Sequence, residues 1–332
     1  MKKIRIGIIG CGGMSRYHGK QFTTTTPDVE IVALVDTHQG NLDRYQQEVF
    51  DPVKRKPPQF HDHKEMLRKV EMDATLIVTP HTHHFEQVMD SFAAGCHVLV
   101  EKPMVTNTEH AKKVIAESKK RKKVLSIAFP GPFTREFQFI RTLVKEGSLG
   151  EIYLIDAVCT QYWLGAVQGT WRLDPKFSGG GQAYDSGSHM FNAMLYLSGL
   201  QAVEVFAWMD NKGQKVDIVT SATIKFNNGA FGTAAVSGDA PVMNQGVYLQ
   251  GPKGAVKTWI YGDHLEYWDG KDHKVQYPVV PETTSLHQNF VDCIRGRAET
   301  PSPGELGLRQ ARLMDALYKS ARSGRVVKVA HD

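Results

Sequence analysis

The glycine string Gly10-Cys11-Gly12-Gly13-Met14-Ser15 constrains this chain most, because it follows directly on the apolar run Ile4–Ile9. A strand that turns at once into a helix needs a residue tolerant of unusual backbone angles. It also needs bare backbone wherever an anion must come close. Here Gly10 permits the turn and Gly12 lets backbone approach a pyrophosphate. Gly13 and Met14 then open a helix whose N–H groups and positive end face the charge. The third small position holds Ser15, where Gly or Ala is commoner. The second apolar run ends Ala33-Leu34-Val35-Asp36, roughly twenty residues past the loop, where a dinucleotide fingerprint places its acid. Asp36 is expected to accept hydrogen bonds from the adenosine ribose. A 2′-phosphate beside it would meet like charge, and neither Thr37 nor His38 is the arginine that would offset it. NAD is therefore expected over NADP.

Around that string, apolar runs alternate with helical patterns. The expected strands are Ile4–Ile9, Ile31–Val35, Ala74–Thr79, Val98–Glu101 and Val124–Ala128. The expected helices are Arg16–Phe22, Leu42–Val49, Lys64–Lys69, Phe85–Ala94 and Glu109–Lys122. Runs of Ile, Val and Leu without alternation suit strands buried on both faces, hence a doubly wound α/β domain with a parallel sheet. Pro52–Pro58 reads as a surface loop inside it. After Phe129-Pro130-Gly131-Pro132 the rhythm changes. A helix over Arg135–Lys145 precedes strands at Ile152–Cys159, Ala202–Trp208, Asp217–Phe226, Phe231–Val236, Val247–Gln250 and Ala255–Trp259, with Asn227-Asn228-Gly229 as a hairpin turn. Helices over Thr284–Arg295 and Glu305–Arg322 close the chain. The 332 residues exceed the ~100–200 of one domain. The division expected is 1–128 for the nucleotide domain and 129–332 for an α+β domain with a mostly antiparallel sheet.

Several function classes are disfavoured. The formal charge of +5 comes from 40 basic and 35 acidic residues, and the run Lys119–Lys123 suits the carboxyl end of a helix, so no nucleic-acid partner is expected. No apolar run approaches the ~18 residues of a membrane span. The segment Met1–Cys11 mimics an export signal, but its apolar part is shorter than the ~7–15 residues of such a core. Four scattered cysteines suit a reduced, cytoplasmic setting. His81, His83 and His84 lack carboxylate or cysteine partners at a metal-site spacing, so no metal is expected.

Two further motifs stand beside the glycine string: Glu101-Lys102-Pro103, and Ser178-Gly179-Gly180-Gly181 followed by Asp185-Ser186-Gly187-Ser188-His189. With Thr79-Pro80-His81-Thr82-His83-His84 they resemble the Gfo/Idh/MocA oxidoreductase family over the whole chain. The resemblance implies an amino-terminal Rossmann domain carrying NAD(P) and a second domain with a large open sheet. It implies a sugar, inositol or related polyol as substrate, and a homodimer or homotetramer. By position, Lys102 matches the family's active-site lysine, Asp185 and His189 its acid/base pair, and Asn192 a place often held by Asp or Asn. Thr79, Pro80, His84 and Glu101 fall in the segments expected near the cofactor.

The residues suit that chemistry on their own terms. Oxidising a secondary alcohol sends a hydride to the cofactor and leaves a proton for the protein to take. An ammonium at a strand's carboxyl end favours alkoxide character on the reacting oxygen, the role expected of Lys102. Histidine, with an unperturbed pKa of about 6.5, exchanges protons near neutrality. With a helix beginning near Ala183, Asp185 and His189 would share one face. Gly179–Gly181 would let backbone approach or flex around a substrate. Tyr162, Trp163, Trp171, Arg172 and Asp174 are candidates for sugar selection, Trp163 and Trp171 equally for core or interface packing. Two other readings keep the fold: a glycoside hydrolase using transient oxidation by NAD, and a non-catalytic dinucleotide sensor.

Overall fold

The computed structural model describes residues 2–270, 273–275, 280 and 282–331. In chain order the first elements are β1 (Ile4–Ile9), α1 (Gly13–Thr24), β2 (Val29–Val35), α2 (Gln39–Tyr45), β3 (Gln59–Phe60), α3 (His63–Lys69), β4 (Ala74–Ile77), α4 (His84–Ala93), β5 (His97–Val100), α5 (Thr108–Arg121) and β6 (Leu125–Ile127). Next come α6 (Arg135–Lys145), β7 (Leu154–Thr160), the one-turn helices α7 (Trp163–Ala166) and α8 (Pro175–Ser178), α9 (Gly187–Ser198), β8 (Ala202–Asp210), β9 (Val219–Phe226) and β10 (Phe231–Ser237). The chain closes with β11 (Asn244–Gly251), β12 (Gly254–Thr258), β13 (Leu265–Trp268), α10 (Leu286–Ile294), α11 (Gly304–Ser323) and β14 (Val327–Lys328).

Backbone contacts divide the chain into two units. The first comprises Met1–Val105, Glu109–Ala128 and Thr284–Gly304. Its sheet runs β3-β2-β1-β4-β5-β6 with every neighbouring pair parallel, the order of a Rossmann domain. The strand cores are fully enclosed: Ile6, Ile8, Ala74, Leu76, Val98 and Leu99 have no exposed surface. That double burial explains why these runs are apolar without alternation. The order reverses between β1 and β4, and the carboxyl ends there are where sheets of this kind take ligands. Helix starts are capped by short polar side chains where no ligand is expected: Asp62 accepts from the Glu65 N–H at 2.7 Å.

The segment Thr284–Gly304 corrects the expected division at 129–332, which placed it in the sheet-rich half. Its periodicity defines a helix but not the surface that helix covers. The Ile127 N–H donates to Ser302 O at 2.9 Å, Ser126 bridges to Pro303, and the Arg295 guanidinium pairs with Asp28.

The second unit comprises Thr106–Thr108, Phe129–Thr283 and Glu305–Asp332. Its eight-stranded sheet runs β13-β12-β11-β7-β10-β9-β8-β14, antiparallel throughout except for the parallel pair β7 and β10. Asn227-Asn228-Gly229 does turn β9 into β10, with Gly229 at φ +90°. Strands β9 and β10 alternate buried and exposed residues, the signature of a sheet covered on one face. The covered face meets Phe137 and Ile140 of α6 and Phe191, Met194 and Leu195 of α9 in one core. The other face leaves Trp208 63% and Phe231 55% exposed.

Candidate functional site

In the first unit the expected cofactor residues gather at the carboxyl edge of the sheet. Gly10 follows β1, Asp36 follows β2, Thr79 and Pro80 follow β4, and Glu101 and Lys102 follow β5. Gly10 has φ +92°, and a Cβ there would lie 2.4 Å from Val78 O. Both observations demand glycine. A Cβ on Gly12 would meet nothing within 4 Å among the described residues. Helix α1 opens there with neither a side-chain cap nor an acid in its first turn. Open space over bare backbone at an uncapped helix start fits a pyrophosphate, so Gly10, Gly12, Gly13 and Met14 suit a dinucleotide. Met14 is half exposed, and Ser15 is fully buried on the inner face of α1.

Asp36 is already organised by its own loop. Its Oδ2 accepts the Cys11 N–H at 2.9 Å, and its Oδ1 accepts the His38 N–H at 2.8 Å, with the Asn41 amide at 3.1 Å. The acid is therefore tied to the glycine turn. The Cys11 thiol is pushed well above its usual range, chiefly by burial and then by the Asp36 charge.

Thr79 donates its hydroxyl to Gln87 Oε1 at 2.6 Å. His84 is fully buried, with Nδ1 2.8 Å from Pro103 O and Nε2 3.0 Å from Thr79 O. Burial holds its pKa below the ordinary value. A neutral ring has one N–H and serves one of the two carbonyls at a time. Both ring nitrogens of His84 thus point to carbonyls of the fold and tie two backbone segments together. Glu101, 6% exposed, accepts the Lys102 N–H on Oε2 at 3.0 Å and meets His18 on Oε1. The Lys102–Pro103 peptide is cis.

In the second unit α9 begins at Gly187, not near Ala183. Asp185 therefore precedes the helix, and the shared helical face expected with His189 does not form. The cause lies far along the chain. Asp217, buried, accepts the N–H of Gly181 at 2.7 Å and of Ala183 at 2.9 Å, and Tyr318 donates its hydroxyl to it. These bonds hold residues 181–183 in a turn, and Asp185 N–H closes back on Gly181 O at 3.0 Å. Packing requires glycine at two of the three positions: a Cβ on Gly181 would lie 1.9 Å from Asp217 O, and one on Gly180 2.3 Å from the Tyr318 hydroxyl.

The Asp185 carboxylate, 6% exposed, accepts both Trp163 Nε1–H and Arg172 Nε–H on Oδ2, each at 2.8 Å. His189, in the first turn of α9, lies edge-on to Tyr261 and Phe129, with ring centroids at 4.7 and 5.8 Å. The Tyr261 phenol is pushed up to about 12, mainly by burial. Asn192 is buried, and its Nδ2 has no hydrogen-bond partner among the described residues. Among the selection candidates, Trp163 is a core residue packed with Val167, Val216 and Ile218. Asp174 caps α8 by accepting the Lys176 N–H at 3.0 Å. Arg172 lies over Trp171 at 4.5 Å from the ring centre, and Tyr162 is 67% exposed. Sequence reasoning missed Asp217, a lone polar residue in the run Val216–Val219, and Gln87 and His18, which stand among other polar residues of α4 and α1; neither pattern singles them out. Among the described residues no cluster of three or more His, Cys, Asp or Glu side chains could hold a metal ion. No helix there is long and apolar enough to cross a membrane.

Comparison with known proteins agrees with the fold, a Rossmann unit followed by a unit with a mostly antiparallel sheet. Residues 4–129 match the family described as oxidoreductase, NAD-binding Rossmann fold, and residues 137–262 match the GFO/IDH/MocA C-terminal domain. D-glucoside 3-dehydrogenase of Escherichia coli (strain K12) is 26% identical over 353 residues, spanning 98% of this chain and 97% of that protein. Alpha-N-acetylgalactosaminidase of Shewanella oneidensis is 27% identical over 156 residues, 46% of this chain and 34% of that one. The solved structure of the WlbA dehydrogenase from Bordetella pertussis, in complex with NADH and UDP-GlcNAcA, superimposes with a TM-score of 0.86 at 23% identity, covering 100% of both chains.

Proposed function

Because this chain belongs to the NAD-binding Gfo/Idh/MocA oxidoreductase family, we propose that it exchanges a hydride with a secondary alcohol or ketone of a sugar, inositol or related polyol. The observation that carries the reading is the carboxyl edge of the first sheet, where the open glycine turn after β1 and Lys102 after β5 end the two strands that flank β4. When bound, the nicotinamide supplies hydride acceptance and donation. Gly10, Gly12, Gly13 and Met14 hold the pyrophosphate and Asp36 the ribose, with NAD preferred over NADP. Lys102 donates a hydrogen bond to the reacting oxygen and stabilises its alkoxide. An imidazole nitrogen of His189 takes the hydroxyl proton in oxidation and returns it in reduction. Asp185, held by Arg172 and Trp163, stays a fixed anion that orients substrate and imidazole rather than carrying the proton itself.

A second reading, glycoside hydrolysis through transient oxidation, is supported by the partial match to a glycosidase. One experiment separates them: incubation with NAD and a panel of inositols, aldoses, acid sugars and glycosides. The dehydrogenase accumulates one NADH per ketone formed, whereas the hydrolase releases aglycone with no net NADH. Binding of NAD with no product from any member leaves only the sensor reading. We also propose a homodimer or homotetramer in the cytoplasm; a single-chain mass by light scattering refutes the oligomer.

A further inference from the structure

Glu101 is a buried carboxylate beside Lys102, and a buried anion persists only where donors hold it. Its partner comes from an unexpected place. His18 of α1, 2% exposed, sets its Nε2 at 2.7 Å from Glu101 Oε1. The other nitrogen of the same ring, Nδ1, lies 2.8 Å from Nε2 of His287 on α10, which is 4% exposed. Glu101 Oε2 in turn accepts the Lys102 N–H. We propose that His18, braced by His287, is a positioning residue that holds Glu101 and, through it, the backbone of Lys102.

One order of donors runs unbroken along this chain. His287 donates from Nε2 to His18 Nδ1, His18 donates from Nε2 to Glu101 Oε1, and Glu101 Oε2 accepts from Lys102. Burial, followed by the nearby His18, lowers the His287 pKa to about 3, which keeps that ring neutral as this order requires. The rings are held by packing too. Phe22 meets His287 edge-on at 4.8 Å between centroids, and Tyr17 meets His18 at 5.5 Å. The geometry explains why Thr284–Gly304 returns to the first unit: α10 delivers the outer member of a chain that ends at a strand-end lysine. It also gives α1 a second task, since the helix that opens at the glycine cradle carries His18 on its buried side.

The link to catalysis rests on the role given to Lys102 above; the positional part does not. The test compares His18→Leu, His18→Gln and Glu101→Gln in the full chain, with three readouts. Amide hydrogen exchange at Lys102 is expected to speed by at least about tenfold in His18→Leu while β1 amides stay protected. Turnover is expected to fall about 100-fold with the NAD dissociation constant little changed, as misplacing a reacting group does. His18→Gln, which keeps an N–H donor in reach of Glu101, is expected to restore most of both. Should His18→Leu fail to fold, Glu101→Gln carries the same exchange readout, because it weakens the acceptor without leaving a buried charge unpaired. Unchanged exchange at Lys102 in the folded variants overturns the positioning role. Turnover and NAD affinity falling together, with no rescue by glutamine, also overturns it, because that marks general loosening of the nucleotide fold. Faster exchange with unchanged turnover leaves the positioning intact and instead removes Lys102 from catalysis.

Discussion

If Asp185 is a fixed anion, its two donors must be coupled to its charge, and Arg172 is the one that can be removed cleanly. Breaking a buried ion pair from one side costs about 3–5 kcal/mol. The Arg172 side chain is 34% exposed, so water offsets part of that, and Trp163 continues to donate to the same oxygen. About 2 kcal/mol is the expected loss for Arg172→Met. In a unit of this size that corresponds to a fall in Tm of roughly 4–8 °C. Asp185→Asn removes the charge and keeps the shape, so the double variant should lose less than the two single losses combined. Urea unfolding of the four proteins then yields a coupling energy of about 1–2 kcal/mol. A value within the ~0.3–0.5 kcal/mol of ordinary additivity refutes the reasoning. Asp185 would then be solvated well enough to act as a proton carrier in its own right.

Other perturbations read different parts of the molecule. Gly10→Ala combines positive φ with a Cβ 2.4 Å from Val78 O, and should destabilise by more than 1 kcal/mol and abolish NAD binding; retained binding in a fluorescence titration would contradict the cradle. Asp36→Ser should lower the NAD-to-NADP ratio of kcat/KM by at least about tenfold, since the like-charge barrier is gone; an unchanged ratio would move cofactor choice elsewhere. His287 has its pKa lowered to about 3 and His97 to about 4, both chiefly by burial. The unfolded chain binds those protons first, so stability present above about pH 6.5 is lost as pH falls toward 4, at up to about 1.4 kcal/mol per pH unit for each group. His287→Phe should flatten that fall in thermal melts; an unaltered slope would place the titration elsewhere.

The α/β rhythm was legible because strands buried on both faces write continuous apolar runs: Ile4–Ile9 is both the sequence run and the strand. The two-residue strands β3 and β14 escaped notice because they exist only by pairing with β2 and β8. β13, four half-buried residues at the sheet edge, lacked a buried face to mark it. The motifs identified the carboxyl-edge residues of the first sheet, since spacing along a chain that alternates strand and helix converts directly into position. The same spacing misled at Asp185, where Asp217, distant in sequence, fixes the turn before α9. The glycines before it were read as facing a substrate, whereas Asp217 crowds Gly181 and Tyr318 crowds Gly180. No periodicity could have shown that α10 brings His287 to His18, because a helical stripe announces burial without naming its partner.

The measurement that bears most directly on the central claim is NADH formation by the parent, Lys102→Met and His189→Ala on the best polyol substrate, with NAD affinity measured alongside. Both variants should lose turnover by at least about 100-fold while binding NAD within about threefold of the parent. Turnover preserved in both would mean that neither side chain meets the reacting carbinol, and the assignment of lysine as alkoxide stabiliser and histidine as proton acceptor would be wrong.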